Sequence, residues 1–240
     1  MIPIVSLTVL FISPFFLYIA LKFRAAYKKT GDKKLYHLFY AFLPTFFALL
    51  LLSLPGLVTK NRILIDLIID IYPLGLIIGM AYFTNVTFEI LYKPILKKII
   101  FFLILLLGLV ISVFPAINMN EALVGIEDPF IFWEDTRGGL INILIGIAMM
   151  LPSLWFLGFF IWNGIAVKDK TAKVRAFLLA TGMFFWAMVG LNDYIFGSFM
   201  DLMSLGLITG LFGFSFILCF LLALSYGKEI TTTVPEKNQI

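Results

Sequence analysis

The residues of this chain that could do chemistry are few, and they sit in apolar surroundings. Asp66 and Asp70 are four residues apart, so a helix sets both carboxylates on one face. Thr84, 18 residues from Asp66, is five turns further on and points the same way, with Pro73 and Ile77 close to that line. A second acidic spot is Asn192-Asp193, where helical spacing aligns Asp193 with Gly182 and Trp186 and leaves Gly190 and Gly197 at the edge. Two carboxylates one turn apart repel, so Asp70 would hold a proton or share a cation. Arg137 is the natural cation for Asp70 or Asp193. If they converge, Asp66, Asp70, Arg137, Trp186, Asn192 and Asp193 form a polar ligand or ion site with Trp133 above it. Each half also has a structural alternative. The first pair could be wetted by lipid headgroups or paired with Arg62 or Arg137. Asp193 could end a packing groove, with Tyr194 as an interfacial anchor.

Other chemistry is missing from the sequence. The single histidine, His37, excludes a multi-histidine metal site, and the single cysteine, Cys219, excludes an internal disulfide. No nucleophile is set beside a base, and neither GxxxxGK nor HExxH occurs, so no enzyme, cofactor or metal is expected. Glu89, four residues before Lys93, reads as a snorkelling surface pair, and His37, beside Lys34 and Tyr36, as an interfacial residue. Asn85-Val86-Thr87 matches a glycosylation triplet but falls inside an apolar stretch. Gly75–Gly79 and Gly206–Gly210 have the GxxxG spacing that favours close helix contacts.

The elements that must carry these residues follow from composition. Hydrophobic residues make up 62% of the 240 and charged residues 13%, against roughly 45–50% and about 25% in soluble domains. So much apolar surface needs a bilayer. Runs long enough to cross about 30 Å of hydrocarbon occur at 2–23, 37–58, 63–86, 95–116, 139–163, 175–197 and 202–226. The expected fold is all-α, a polytopic bundle of seven transmembrane helices over 1–228, with a short disordered tail, 229–240. Fifteen of the 18 basic residues fall on one side of these runs, and only Lys60, Arg62 and Arg137 on the other. Basic loops stay cytoplasmic, so the N-terminus is expected outside and the C-terminus inside. The basic excess then marks topology and not a nucleic-acid partner. The first run has no basic residue before it and so does not read as a cleavable leader. A multi-pass protein of a prokaryotic cell membrane is expected. Within such a run an ionisable residue costs roughly 2.5–3.5 kcal/mol at the helix centre, which is why the few carboxylates matter.

The seven-run layout raises the possibility of a retinal protein, but the last run, SLGLITGLFGFSFILCFLLALSYGK, has no lysine before Lys228. Four features carry a different likeness: the basic segment KFRAAYKKTGDKKLYHLFYAFLPTF, the acidic loop before residue 139, the stretch KVRAFLLATGMFFWAMVGLNDYIFG and the glycine-spaced last run. In layout they resemble the seven-helix sensor regions that precede many prokaryotic histidine kinases, although no kinase follows. The resemblance implies a receptor-like bundle that reports to a separate partner. Two other classes fit the same layout. One is a small secondary transporter of three-plus-one-plus-three helices, with Pro14, Pro44, Pro73 and Pro152 breaking its helices. The other is an accessory subunit of a larger membrane complex, bound through a phenylalanine-rich exterior.

Overall fold

The computed structural model describes residues 2–90, 94–117, 121–127, 130–134, 139–196 and 202–226. They form seven helices: α1 Ile4–Thr30, α2 Lys33–Leu52, α3 Arg62–Ile90, α4 Pro94–Ile117, α5 Gly139–Ala166, α6 Lys170–Leu191 and α7 Leu202–Ser225. All seven are long and apolar enough to cross a membrane, and the chain is a multi-pass integral membrane protein of all-α class.

The turns at the basic end are written locally. Gly31, at φ 70°, takes the left-handed conformation that ends α1, and its N–H bonds to Tyr27 O at 2.8 Å. Asp32 then caps α2 by accepting from Lys34 N at 2.9 Å, and Asp169 caps α6 by accepting from Ala172 N at 2.6 Å. α2 stops at Leu52, six residues before the apolar run ends, because Pro55 and Gly56 (φ 74°) turn the chain. In the other direction the helices outrun the apolar stretches: α1 continues through Lys28 and Lys29, and α6 begins at Lys170. The charged stems there lie beyond the span, where a helix needs no apolar face.

Each helix packs on its neighbour in sequence, and α7 returns to α1, so the helices form a closed ring. α3 also packs on α5 across the ring. It is the central helix, with 56% of its span buried, whereas the outlying α4 has 22%. Rings fill the interior: Phe42 meets Phe83 at 5.3 Å and Phe220 at 5.1 Å, and Phe83 meets Phe156 at 5.2 Å. Lipid tails are as apolar as leucine, so this packing holds the helices by van der Waals fit rather than by expulsion of water.

The sequence expectation missed one feature. The loop between α4 and α5 contains strands β2 (Leu123–Glu127) and β3 (Phe130–Glu134), which pair antiparallel, Val124 opposite Trp133. The N-terminal strand β1 (Ile2–Pro3) pairs parallel to β3, giving the order β1-β3-β2. This sheet caps the end where α1 begins. Ala122 N donates to Arg62 O at 3.2 Å, and Ser6 Oγ donates to Pro55 O at 2.5 Å.

A polar junction as candidate functional site

Beneath the sheet, polar side chains from three helices meet. α3 brings Asp66 and Asp70, exposed by only 1% and 2%. Both are enclosed by protein, so the expectation of a pair wetted by lipid headgroups gives way. The neighbouring Ile65 and Ile69 pack with Ala122, Tyr72 and Trp133, which sets Trp133 of β3 against the start of α3. Thr84 is buried on the same helix and donates to Ala81 O at 2.7 Å. Arg137 lies outside the described residues.

The second acidic spot is built differently from a plain helix end. From Asn192 to Phe196 the chain widens into a π turn that continues α6. Such turns rotate the residues that follow relative to the helix before them, and they are frequent at functional sites. Here Asn192 and Asp193 both turn to α7. Asn192 Nδ2 donates to Thr209 Oγ1 at 2.8 Å and to Leu205 O at 3.3 Å, and the Thr209 hydroxyl donates to the Asp193 carboxylate. Thr209 thus accepts from one neighbour and donates to the next. Tyr194 points elsewhere: it is buried, and its hydroxyl shares a hydrogen bond with that of Tyr72 on α3. It is an internal strut and not the interfacial anchor expected from sequence.

Close backbone approach makes room for this. A Cβ on Gly146 of α5 would come within 3.1 Å of Tyr194 Cβ, and one on Gly190 within 3.0 Å of Met149 Cβ. α3, α5, the π turn and α7 therefore meet at one level. The Tyr72–Tyr194 bond ties α3 to the π turn, two residues beyond Asp70 on one helix and one beyond Asp193 on the other.

Trp186 is different. It does share a face with Gly182 and Asp193, and all three look toward α7: Gly182 lies against Phe220 and Cys219, Trp186 against Phe216. But Trp186 is buried among rings, 4.8 Å from Phe216 and 5.7 Å from Phe16. It belongs to the aromatic core below the junction and lines no polar cavity. Its indole N–H has no hydrogen-bond partner among the described residues.

Sequence reasoning missed Thr209, Tyr72 and the bridging role of Tyr194. The signal for Thr209 was present: it is one of two hydroxyls, with Ser204, in the first half of an apolar helix, and it stands between the glycines of the GxxxG spacing. It also missed Thr87, which accepts from Trp155 Nε1 at 2.8 Å, and buried Asn85, whose side-chain oxygen has no partner among the described residues. Burial of both residues removes the glycosylation reading. The Glu89 side chain lies outside the described residues. Among those residues no group of three or more His, Cys, Asp or Glu is placed to hold a metal ion.

Compared with known proteins, the chain matches no family model and no curated protein. The class stands on fold alone: a seven-helix, multi-pass membrane bundle.

Proposed function

We propose that this protein is a non-enzymatic receptor or sensor whose polar junction responds to a small polar ligand or ion and whose basic end reports to a separate partner. The sheet-capped end is then outside and the basic end cytoplasmic, as the distribution of lysine and arginine favours. One observation carries this reading. The π turn sends consecutive residues to different helices: Asn192 and Asp193 to α7, Tyr194 to α3. A group that competes for the Thr209 hydroxyl or the Asp193 carboxylate would loosen α6 from α7 while leaving the aromatic core below as a fulcrum. A ligand can shift packing only by its differential affinity for two arrangements, and a shared hydroxyl supplies two. Asp66, Asp70 and Arg137 would set the charge that such a ligand meets.

Transport measurements test this against the carrier alternative. The reconstituted protein is exposed to gradients of sodium, potassium, protons and simple amino acids on a supported membrane, and charge movement is recorded. A sensor gives at most a transient binding signal that Asp193→Asn alters. Sustained current that Asp70→Asn abolishes would replace the sensor by a small transporter.

A further inference from the structure

The opposite end of the bundle holds a second assembly that the sensor reading does not use. At the basic end α2 and α4 reach toward each other across α3, and Lys97 Nζ lies 3.2 Å from His37 Nε2. Under and beside that pair is a file of tyrosines. Tyr36 packs on Tyr27 at 5.4 Å and on Tyr40 at 4.6 Å, and Tyr40 stacks on Tyr82 of α3 at 5.4 Å and 27°. Tyr82 in turn meets Phe101 of α4 edge-on at 5.1 Å. Asn85 is three residues beyond Tyr82, and Lys97 is four before Phe101 on the antiparallel helix. Both are therefore one turn from the Tyr82–Phe101 contact in the same direction, which sets Asn85 level with Lys97.

Tyr40 also begins something else. From it an apolar groove of about 410 Å³ runs between α2 and α3, past Pro44, Ala48 and Gly75 to Leu51. From Tyr40 to Leu51 a helix rises about 16 Å, close to the depth of one leaflet of a roughly 30 Å hydrocarbon core. The groove is shallow because Gly75 lies directly against Pro44 and Ala48 of α2. Its mouth, at Tyr40, adjoins the tyrosine file and, through Tyr36, the His37–Lys97 pair, and its length is apolar. Lys33 and Lys34 begin α2, and Lys98 follows Lys97 on α4, so this end of the bundle is rich in cations.

We propose that this end binds one anionic phospholipid, its phosphate held by Lys97, His37 and the hydroxyls of Tyr36 and Tyr40, with one acyl chain along the α2–α3 groove. Lysine and histidine N–H groups and tyrosine O–H groups all donate, and a phosphate offers only acceptors. The positive mouth selects an anionic headgroup over a zwitterionic one. The buried side-chain oxygen of Asn85, which has no partner among the described residues, would accept from a donor such as a headgroup hydroxyl. A free anion would use the mouth and leave the groove to solvent or detergent.

The purified full chain in neutral detergent tests this by native mass spectrometry, with phosphatidylglycerol and phosphatidylcholine of identical acyl chains as probes. Phosphatidylglycerol should bind more tightly, and Lys97→Gln should reduce that preference about fivefold. Tyr40→Phe and His37→Gln should each reduce it further without changing the weaker binding of phosphatidylcholine. Should Lys97→Gln fail to fold, those two variants carry the test. Equal binding of the two lipids by the wild type would overturn the site. So would a wild-type preference in folded Tyr40→Phe and His37→Gln. Inorganic phosphate that stabilises the protein as well as phosphatidylglycerol would overturn the lipid assignment, since it cannot fill the groove.

Discussion

Helices α3 and α7 carry the same glycine spacing in similarly apolar stretches, yet they meet opposite surroundings. In α3, Gly75 and Gly79 form the seam with α2: a Cβ on Gly75 would come within 2.7 Å of Ala48 Cβ, and one on Gly79 within 2.6 Å of Ala41 O. In α7, no described residue lies within 4 Å of a Cβ on Gly206, and among the described residues only Thr8 Cγ2, at 3.8 Å, approaches one on Gly210. The expectation of a close contact at the α7 pair is therefore corrected. α3 is central and keeps Asp66, Asp70, Thr84, Asn85 and Thr87 buried, while α7 turns Leu207 and Leu211 to lipid and reaches inward with Thr209. Spacing determines which residues share a face. Only the neighbouring helices determine whether that face is covered: α3 packs on α2, α4 and α5, whereas α7 packs on α6 and α1.

Variants can sharpen or break this contrast. The largest effect is expected for Gly79→Leu, which has backbone in its way and should cost about 3 kcal/mol or prevent folding. Gly206→Leu, facing open space, should leave the detergent unfolding midpoint unchanged. Equal effects from the two would remove the contrast. Next comes Thr209→Val, which takes the shared hydroxyl from Asn192 and Asp193 at nearly constant volume. Leaving buried polar groups without a partner should cost about 1–3 kcal/mol, read as a lowered midpoint. Tyr72→Phe removes one hydroxyl from the pair with Tyr194 and should cost about 1 kcal/mol. A double-mutant cycle with Tyr194→Phe should then show the two losses to be non-additive. The smallest effect is expected for Leu207→Ala, 64% exposed. It should stay within about 0.5 kcal/mol, and a larger loss would mean that α7 is covered in the membrane by more than lipid.

Much of the fold was legible because hydropathy over 20 residues is a strong physical signal. The seven spans, their alternation and their basic end all follow from it. The ends were less legible, since a cap such as Asp32 or a turn such as Pro55-Gly56 acts over three residues and is lost in an apolar average. The β2–β3 hairpin was hidden by a loop that reads as merely acidic. Of the candidate site, the buried carboxylates and the shared α6 face were readable from period alone. The partners were not. Tyr72 and Tyr194 are 122 residues apart, and the π turn shifts the helical phase just where the face was being extrapolated. Trp186 shows the cost: it was placed on the correct face, but Phe16 and Phe216 had already claimed that level for the core.

The sensor reading makes one claim that a structural role for the junction does not: a change at Thr209 must be felt at the basic end. Spin labels at Lys28 and Lys168, both exposed there on α1 and just before α6, can be introduced as cysteines in a Cys219→Ser background and reconstituted in lipid. Pulsed electron paramagnetic resonance then gives their distance distribution with and without Thr209→Val. If the junction sets the packing of α6 against α7, the variant shifts or broadens that distribution while the fold persists. An unchanged distribution in a folded but less stable variant would make the junction a structural joint and contradict the sensor.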